Sequence, residues 1–97
     1  MLNKKEIIEK IRDKSEEIET FGVKKIGVFG SFVRSVQHSR SDIDVLVEFK
    51  QGKKKFDVYM ELKFFLEKLF HRKVDLVIKD ALKPGIKQYV LKEVIYA

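Results

Sequence analysis

The chain has 97 residues, 44% hydrophobic and 37% charged, with 8 Phe, 3 Tyr and no cysteine. That is enough apolar material for one modest core, and it excludes aromatic-poor disorder, disulfide scaffolds and cysteine-ligated metal sites. The net charge of +6 lies in the second half: residues 1–49 hold 9 basic and 9 acidic side chains, residues 50–97 hold 12 and 6, which gives either a lysine-rich solvated surface or a face for an anionic partner.

In chain order, Leu2 to about Thr20 reads as a helix. Ile7, Ile11 and Ile18 keep one face, Asn3 is placed to cap it, and Glu6 stands three residues on. Phe21-Gly22 ends it. Val23–Phe29 reads as a strand broken by Gly30-Ser31, and Ser31 is expected to cap a short helix from Phe32 to about Gln37. Gln37–Ser41 reads as a polar loop. Asp42–Phe49 is the clearest strand, because Ile43, Val45 and Val47 alternate with Asp42, Asp44 and Leu46. Lys50–Lys55 is a basic turn around Gly52. Phe56–Phe70 is the strongest helix, with Val58, Leu62, Phe65 and Leu69 as its expected buried stripe and Asp57 as its expected N-cap. Lys73–Ile78 is a third strand, Asp80–Gly85 a loop, and Ile86–Tyr96 a last helix opened by Pro84. This order predicts an α/β fold: a small mixed β-sheet with helices packed against it, as one domain over residues 1–97. No apolar run approaches the roughly 20 residues needed to cross a bilayer, and the charged MLNKKEIIEK start has no apolar leader core. The expected location is the cytoplasm.

The chemistry-bearing residues are out of place in their elements. Aspartate is depleted in strands, yet Asp42 and Asp44 open the clearest one, and a period of two puts both carboxylates on one face. Two like charges so close favour a cation between them, and Mg²⁺ accepts one or two carboxylates together with substrate phosphates. Asp75 repeats the anomaly inside KVDLVI. If its strand lies beside the first, the three carboxylates suit a two-metal site for phosphoryl or nucleotidyl transfer. Gly30 lets the backbone approach a phosphate, Ser31 adds a hydroxyl, and Arg34 stands one turn later to meet phosphate oxygens. Neither a Walker A loop nor G-x-G-x-x-G is present. His38 and His71 lack paired spacing and read as surface or packing histidines. Tyr89 and Tyr96 read as core or rim residues of the last helix. Lys50, Lys53, Lys54 and Lys55 form a basic turn, either solvated or steering an anion.

Gly30-Ser31-Phe32-Val33-Arg34, Ser41-Asp42-Ile43-Asp44-Val45-Leu46-Val47 and Val74-Asp75-Leu76-Val77 together resemble the nucleotidyltransferase superfamily of DNA polymerase β type, in its shortest branch, the minimal nucleotidyltransferase domain. The resemblance runs from about Phe21 to the C-terminus. It implies that Gly30 and Ser31 hold the β- and γ-phosphates of ATP, and that Arg34 occupies a recurring nucleotide-binding position. It also implies that Asp42 and Asp44 bind two Mg²⁺ ions, and that Asp75 completes the metal set and helps activate the attacking hydroxyl. Many relatives follow the arginine with glycine, where this chain has Ser35-Val36. Similar domains accompany a HEPN-domain toxin as its antitoxin, transferring AMP to a tyrosine of that ribonuclease. A different class of reading is a non-catalytic antitoxin that neutralises by binding. A third is a nucleic-acid-binding module, which rests on the basic half alone, so direct nucleic-acid binding is not expected.

Overall fold

The computed structural model describes residues 2–37 and 41–97. The chain runs α1 (Lys4–Asp13), α2 (Ser15–Glu19), β1 (Val23–Phe29), α3 (Ser31–Arg34), β2 (Ile43–Phe49), α4 (Phe56–Phe70), β3 (Val74–Ile78), a 3-10 turn (Lys79–Ala81), α5 (Pro84–Glu93) and β4 (Ile95–Tyr96). His38, and most of the loop expected around it, lies outside the described residues. Among the described residues no helix is long and apolar enough to cross a membrane.

The strands lie in the order β3-β2-β1-β4. β1 is antiparallel to β2 and to β4, whereas β2 and β3 run parallel. A parallel pair needs a crossover, and α4 supplies it. The register sorts side chains by face. Val28 stands opposite Val45 and Ile26 opposite Val47, while Ile43 stands beside Val74 and Val45 beside Leu76. These residues bury one face against Ile7 and Ile11 of α1, Ile18 of α2, and Leu62, Leu66 and Phe70 of α4. The opposite face takes the alternate positions: Asp44 and Leu46 of β2, Asp75 and Val77 of β3, Gly27 and Phe29 of β1. There Leu46 is buried, as is Val90 of α5, outside the main core.

Gly27 is what lets the chain leaving α5 cross this second face. A Cβ there would lie 2.7 Å from Val94 Cγ2 and 2.9 Å from the Ile95 carbonyl oxygen, so glycine at this point permits the close approach that pairs β4 with β1.

Several local expectations are met. The Glu6 N–H donates to Asn3 Oδ1 at 2.9 Å, which caps α1, and β1 and α4 span the residues expected of them. Others are corrected. The first helix breaks at Lys14 (φ −108°, ψ 17°) into α1 and α2. Gly30, not Ser31, precedes α3, which ends at Arg34 rather than Gln37. Lys55, not Asp57, stands at the N-cap of α4. The buried stripe of α4 is Leu62, Leu66 and Phe70, with Phe65 and Leu69 at its margin and Val58 half-buried. The last helix ends at Glu93; Val94 turns extended (ψ 137°) and Ile95-Tyr96 form β4. Tyr89 is surface rather than core, 78% exposed.

Ser35 ends α3 in the left-handed region, at φ 59° and ψ 35°. This is the position where the resemblance has glycine. A left-handed L-residue costs roughly 1–2 kcal/mol, and glycine gives part of that back through backbone entropy. Ser35→Gly is therefore expected to raise stability by about 0.5–1 kcal/mol, read as a shift in the urea midpoint at unchanged slope.

Candidate active site

The site forms where three element ends meet on the second face. β1 ends at Phe29, and Gly30 turns the chain into α3 with φ 81° and ψ −151°, a conformation that suits glycine. Across the sheet, Asp44 stands opposite Phe29 on one side and beside Asp75 on the other. A Cβ on Gly30 would fall 1.9 Å from Asp44 Oδ2. The glycine is thus a seat for that carboxylate. The Val33 and Arg34 amides both donate to the Gly30 carbonyl at 3.1 Å, which leaves the amides of residues 31 and 32 outside the helical ladder.

Asp44 is half-buried, and its carboxyl is pushed up from 3.8 to about 6. Burial is the largest cause, followed by the charges of Asp75 and Asp42; Arg34 partly offsets them and Glu93 adds to them. Asp42 and Asp75 are both exposed. The structure therefore brings together the three aspartates that the sequence singled out, with Asp44 at their centre. Gly30 and Arg34 flank it, and Ser31 follows Gly30 as the first residue of α3.

Two arginines fasten this arrangement. Arg34 Nη1 donates to Glu93 Oε1 at 2.6 Å, joining the end of α3 to the last turn of α5 across 59 residues. Arg72 Nη1 donates to the Ser41 carbonyl at 3.0 Å, and its guanidinium lies 5.4 Å from the centre of the Phe32 ring. Arg72 so links the lead-in to Asp42, helix α3 and the start of β3. On the far side of β3, the Tyr59 hydroxyl donates to the Leu76 carbonyl at 2.6 Å. Burial, and then the charge of Asp75, push its ionisation up. Glu93 and Tyr59 were not identified from the sequence; Arg72 stands out there only as part of the Arg72-Lys73-Val74-Asp75 stretch and as a possible charge partner of Asp75, not for its link to Ser41 and Phe32. Each acts on an element remote in the chain; the one local signal that could have been read is a glycine, Gly27, inside the β1 strand, where another backbone approaches closely. Of the remaining candidates, His71 is an exposed left-handed residue that ends α4, and Lys50, Lys53, Lys54 and Lys55 are all exposed.

The donor set suits Mg²⁺. All candidate ligands are carboxylate oxygens, the hard donors that this ion takes, and the Asp44 carboxyl, raised first by burial and then by the charges of Asp75 and Asp42, is a group whose ionised form a nearby cation favours. Among the described residues no three acidic or histidine side chains close into a cage.

A strand-borne acidic group facing a Gly-Ser turn on a small mixed sheet is an arrangement suited to nucleotidyl or phosphoryl transfer. The comparisons narrow that class. The chain belongs to the nucleotidyltransferase domain family, which matches residues 4–97. It is 47% identical over 83 residues to the protein adenylyltransferase MntA of Thermococcus cleftensis, covering 86% of this chain and 83% of that protein. A solved structure assigned as a minimal nucleotidyltransferase superposes with a TM-score of 0.74 at 33% identity, covering 91% of this chain and 93% of that one. A crystal structure of a toxin–antitoxin with AMP-PNP gives a TM-score of 0.70 at 27% identity, covering 98% of this chain and 72% of that one.

Proposed function

We propose that this chain is a single-domain, cytoplasmic, Mg²⁺-dependent protein adenylyltransferase. It moves AMP from ATP to a tyrosine hydroxyl of a HEPN-type ribonuclease toxin and so acts as the antitoxin. The observation that carries this reading is the Asp44 carboxylate, seated against Gly30 and crowded by Asp42 and Asp75. The adenylyltransferase name of the Thermococcus relative and the toxin–antitoxin structure with an ATP analogue support the nucleotide and the partner.

In this reading the Gly30-Ser31 turn and Arg34 hold the β- and γ-phosphates, and Asp42 and Asp44 hold two Mg²⁺ ions with Asp75 completing the set. Bound Mg²⁺ supplies charge neutralisation on the phosphates and a lowered pKa for the acceptor hydroxyl. Asp75, exposed on the outermost strand, accepts the acceptor's proton. The acceptor oxygen bonds to the α-phosphorus, the bond between that phosphorus and the bridging α–β oxygen breaks, and pyrophosphate leaves from the Ser31 side. Positioning and charge neutralisation supply most of the rate.

The test is transfer of label from α-labelled ATP to the purified HEPN protein, run beside toxin neutralisation in cells, for wild type and for the double variant Asp42→Asn/Asp44→Asn. The expected result is loss of both labelling and neutralisation while the two proteins still co-purify. Neutralisation that survives in the double variant identifies a blocking antitoxin instead.

A further inference from the structure

We propose that Glu93, in the last turn of α5, is the positioning residue for Arg34: its carboxylate grips the guanidinium at 2.6 Å and aims the remaining N–H groups at the phosphates of the nucleoside triphosphate. The inference rests on the phosphate-binding reading of Arg34 and adds a residue to it.

Three observations support it. First, the Arg34 side chain is 57% exposed whereas that of Glu93 is only 20% exposed. The fixed member of the pair is therefore the glutamate, held by a helix that is anchored through Val90 and by the β4 pairing that follows it. Second, the pair stands beside the site. Arg34 closes the one-turn helix that begins directly after Gly30, and Gly30 is the residue against which the Asp44 carboxylate sits. Third, guanidinium carries five N–H donors in a planar fork. A bond at Nη1 to Glu93 leaves donors on the other edge for phosphate oxygens.

The alternative role for Glu93 is opposition, because a carboxylate close to a triphosphate repels it. The two roles have opposite signs. Glu93 lies against a full positive charge, so the pair is nearly neutral when seen from the phosphates, and what Glu93 contributes is order. A long, half-exposed arginine without that anchor must be immobilised at the moment of binding, a loss of rotamer freedom that corresponds to roughly a five- to thirtyfold change in affinity.

The experiment is titration of Mg²⁺·ATP into wild type, Arg34→Ala, Glu93→Gln, Glu93→Asp and the Arg34→Ala/Glu93→Gln double variant, with thermal unfolding of each to check folding. The expected result is a roughly five- to thirtyfold higher Kd for Glu93→Gln, a smaller rise for Glu93→Asp, and no further loss when Glu93→Gln is added to Arg34→Ala. A merely structural role for Glu93 makes its effect persist in the Arg34→Ala background, and that overturns the inference. Unchanged or tighter binding by Glu93→Gln also overturns it, while an effect of Arg34→Ala alone leaves the phosphate reading of Arg34 standing. Absence of Mg²⁺·ATP binding in wild type, or full affinity in Arg34→Ala, overturns the nucleotide reading itself and the inference with it.

Discussion

Asp44→Asn is expected to abolish AMP transfer, by about 10³-fold or more, and at the same time to make the folded protein more stable at pH 8. The second effect follows from linkage. The Asp44 carboxyl is raised from 3.8 to about 6 by burial and by its acidic neighbours. A group whose folded pKa lies above its unfolded value contributes stability below the unfolded pKa and loses it as pH rises through the folded one. Asp44 is therefore neutral without penalty near pH 3.5 and a burden above pH 6. Each pKa unit corresponds to about 1.4 kcal/mol, but the group is only half-buried and solvent screens part of the shift. About 1–2 kcal/mol remains after that discount, which for a domain of this size raises Tm by several degrees. Thermal unfolding at pH 3.5 and pH 8 checks it: the two proteins should coincide at the lower pH and separate at the higher. Added Mg²⁺ should raise the wild-type Tm at pH 8 and leave the variant where it was. A variant less stable than wild type at pH 8 sinks the account of Asp44 as crowded charge.

The crowding has a local logic. Helix α3 puts Arg34 within reach of Asp44, and that charge lowers its carboxyl, but Glu93 engages the same guanidinium and pushes the other way. The protein alone therefore does not neutralise its acidic centre. On the proposed function the missing positive charge comes with the ions that accompany the nucleotide, so that binding and charge compensation occur together. This is where local rules of strand composition are broken, and functional sites are where such breaks are expected.

The same reasoning explains what the sequence made legible. Aspartate at alternate positions of a strand is a local anomaly, and so is a glycine at the end of one, so Asp42, Asp44, Asp75 and Gly30 stood out before any geometry was known. β1 and α4 matched because their patterns are strong over seven and fifteen residues. The α4 stripe slipped toward Leu66 and Phe70 because steps of three and four are both compatible with one helix face, and the sheet it meets decides between them. β4 was hidden because two residues carry no period. Glu93 left no local trace, and Arg72 none of its link to Ser41, since their partners lie 59 and 31 residues away. Ser35 went the other way: its departure from glycine was visible, and the left-handed backbone supplied the reason afterwards.

Gly30→Ala is expected to cost both activity and stability, in contrast to the change at Asp44. Two penalties coincide at this residue. Its φ of 81° is unfavourable for any side chain. The added Cβ would also meet Asp44 Oδ2 at 1.9 Å and Asp44 Cγ at 2.8 Å, well inside contact distance. The carboxylate is the end of a short side chain fixed to a central strand, so it escapes only by turning away from the glycine, or else the turn into α3 must shift. Either movement changes the spacing between Asp44 and the amides that follow Gly30, and misplacement of about 1 Å costs on the order of 10²-fold in rate. The stability loss is about 1–3 kcal/mol, from backbone strain and overpacking together. Relief of the contact separates the two penalties. In Gly30→Ala/Asp44→Gly the clash is gone and the strain of φ remains, so stability should recover in part, by a non-additive amount measurable in a double-mutant cycle of urea midpoints. Full additivity would mean that Gly30 is required for its backbone alone and that the seat it forms for Asp44 has no energetic weight.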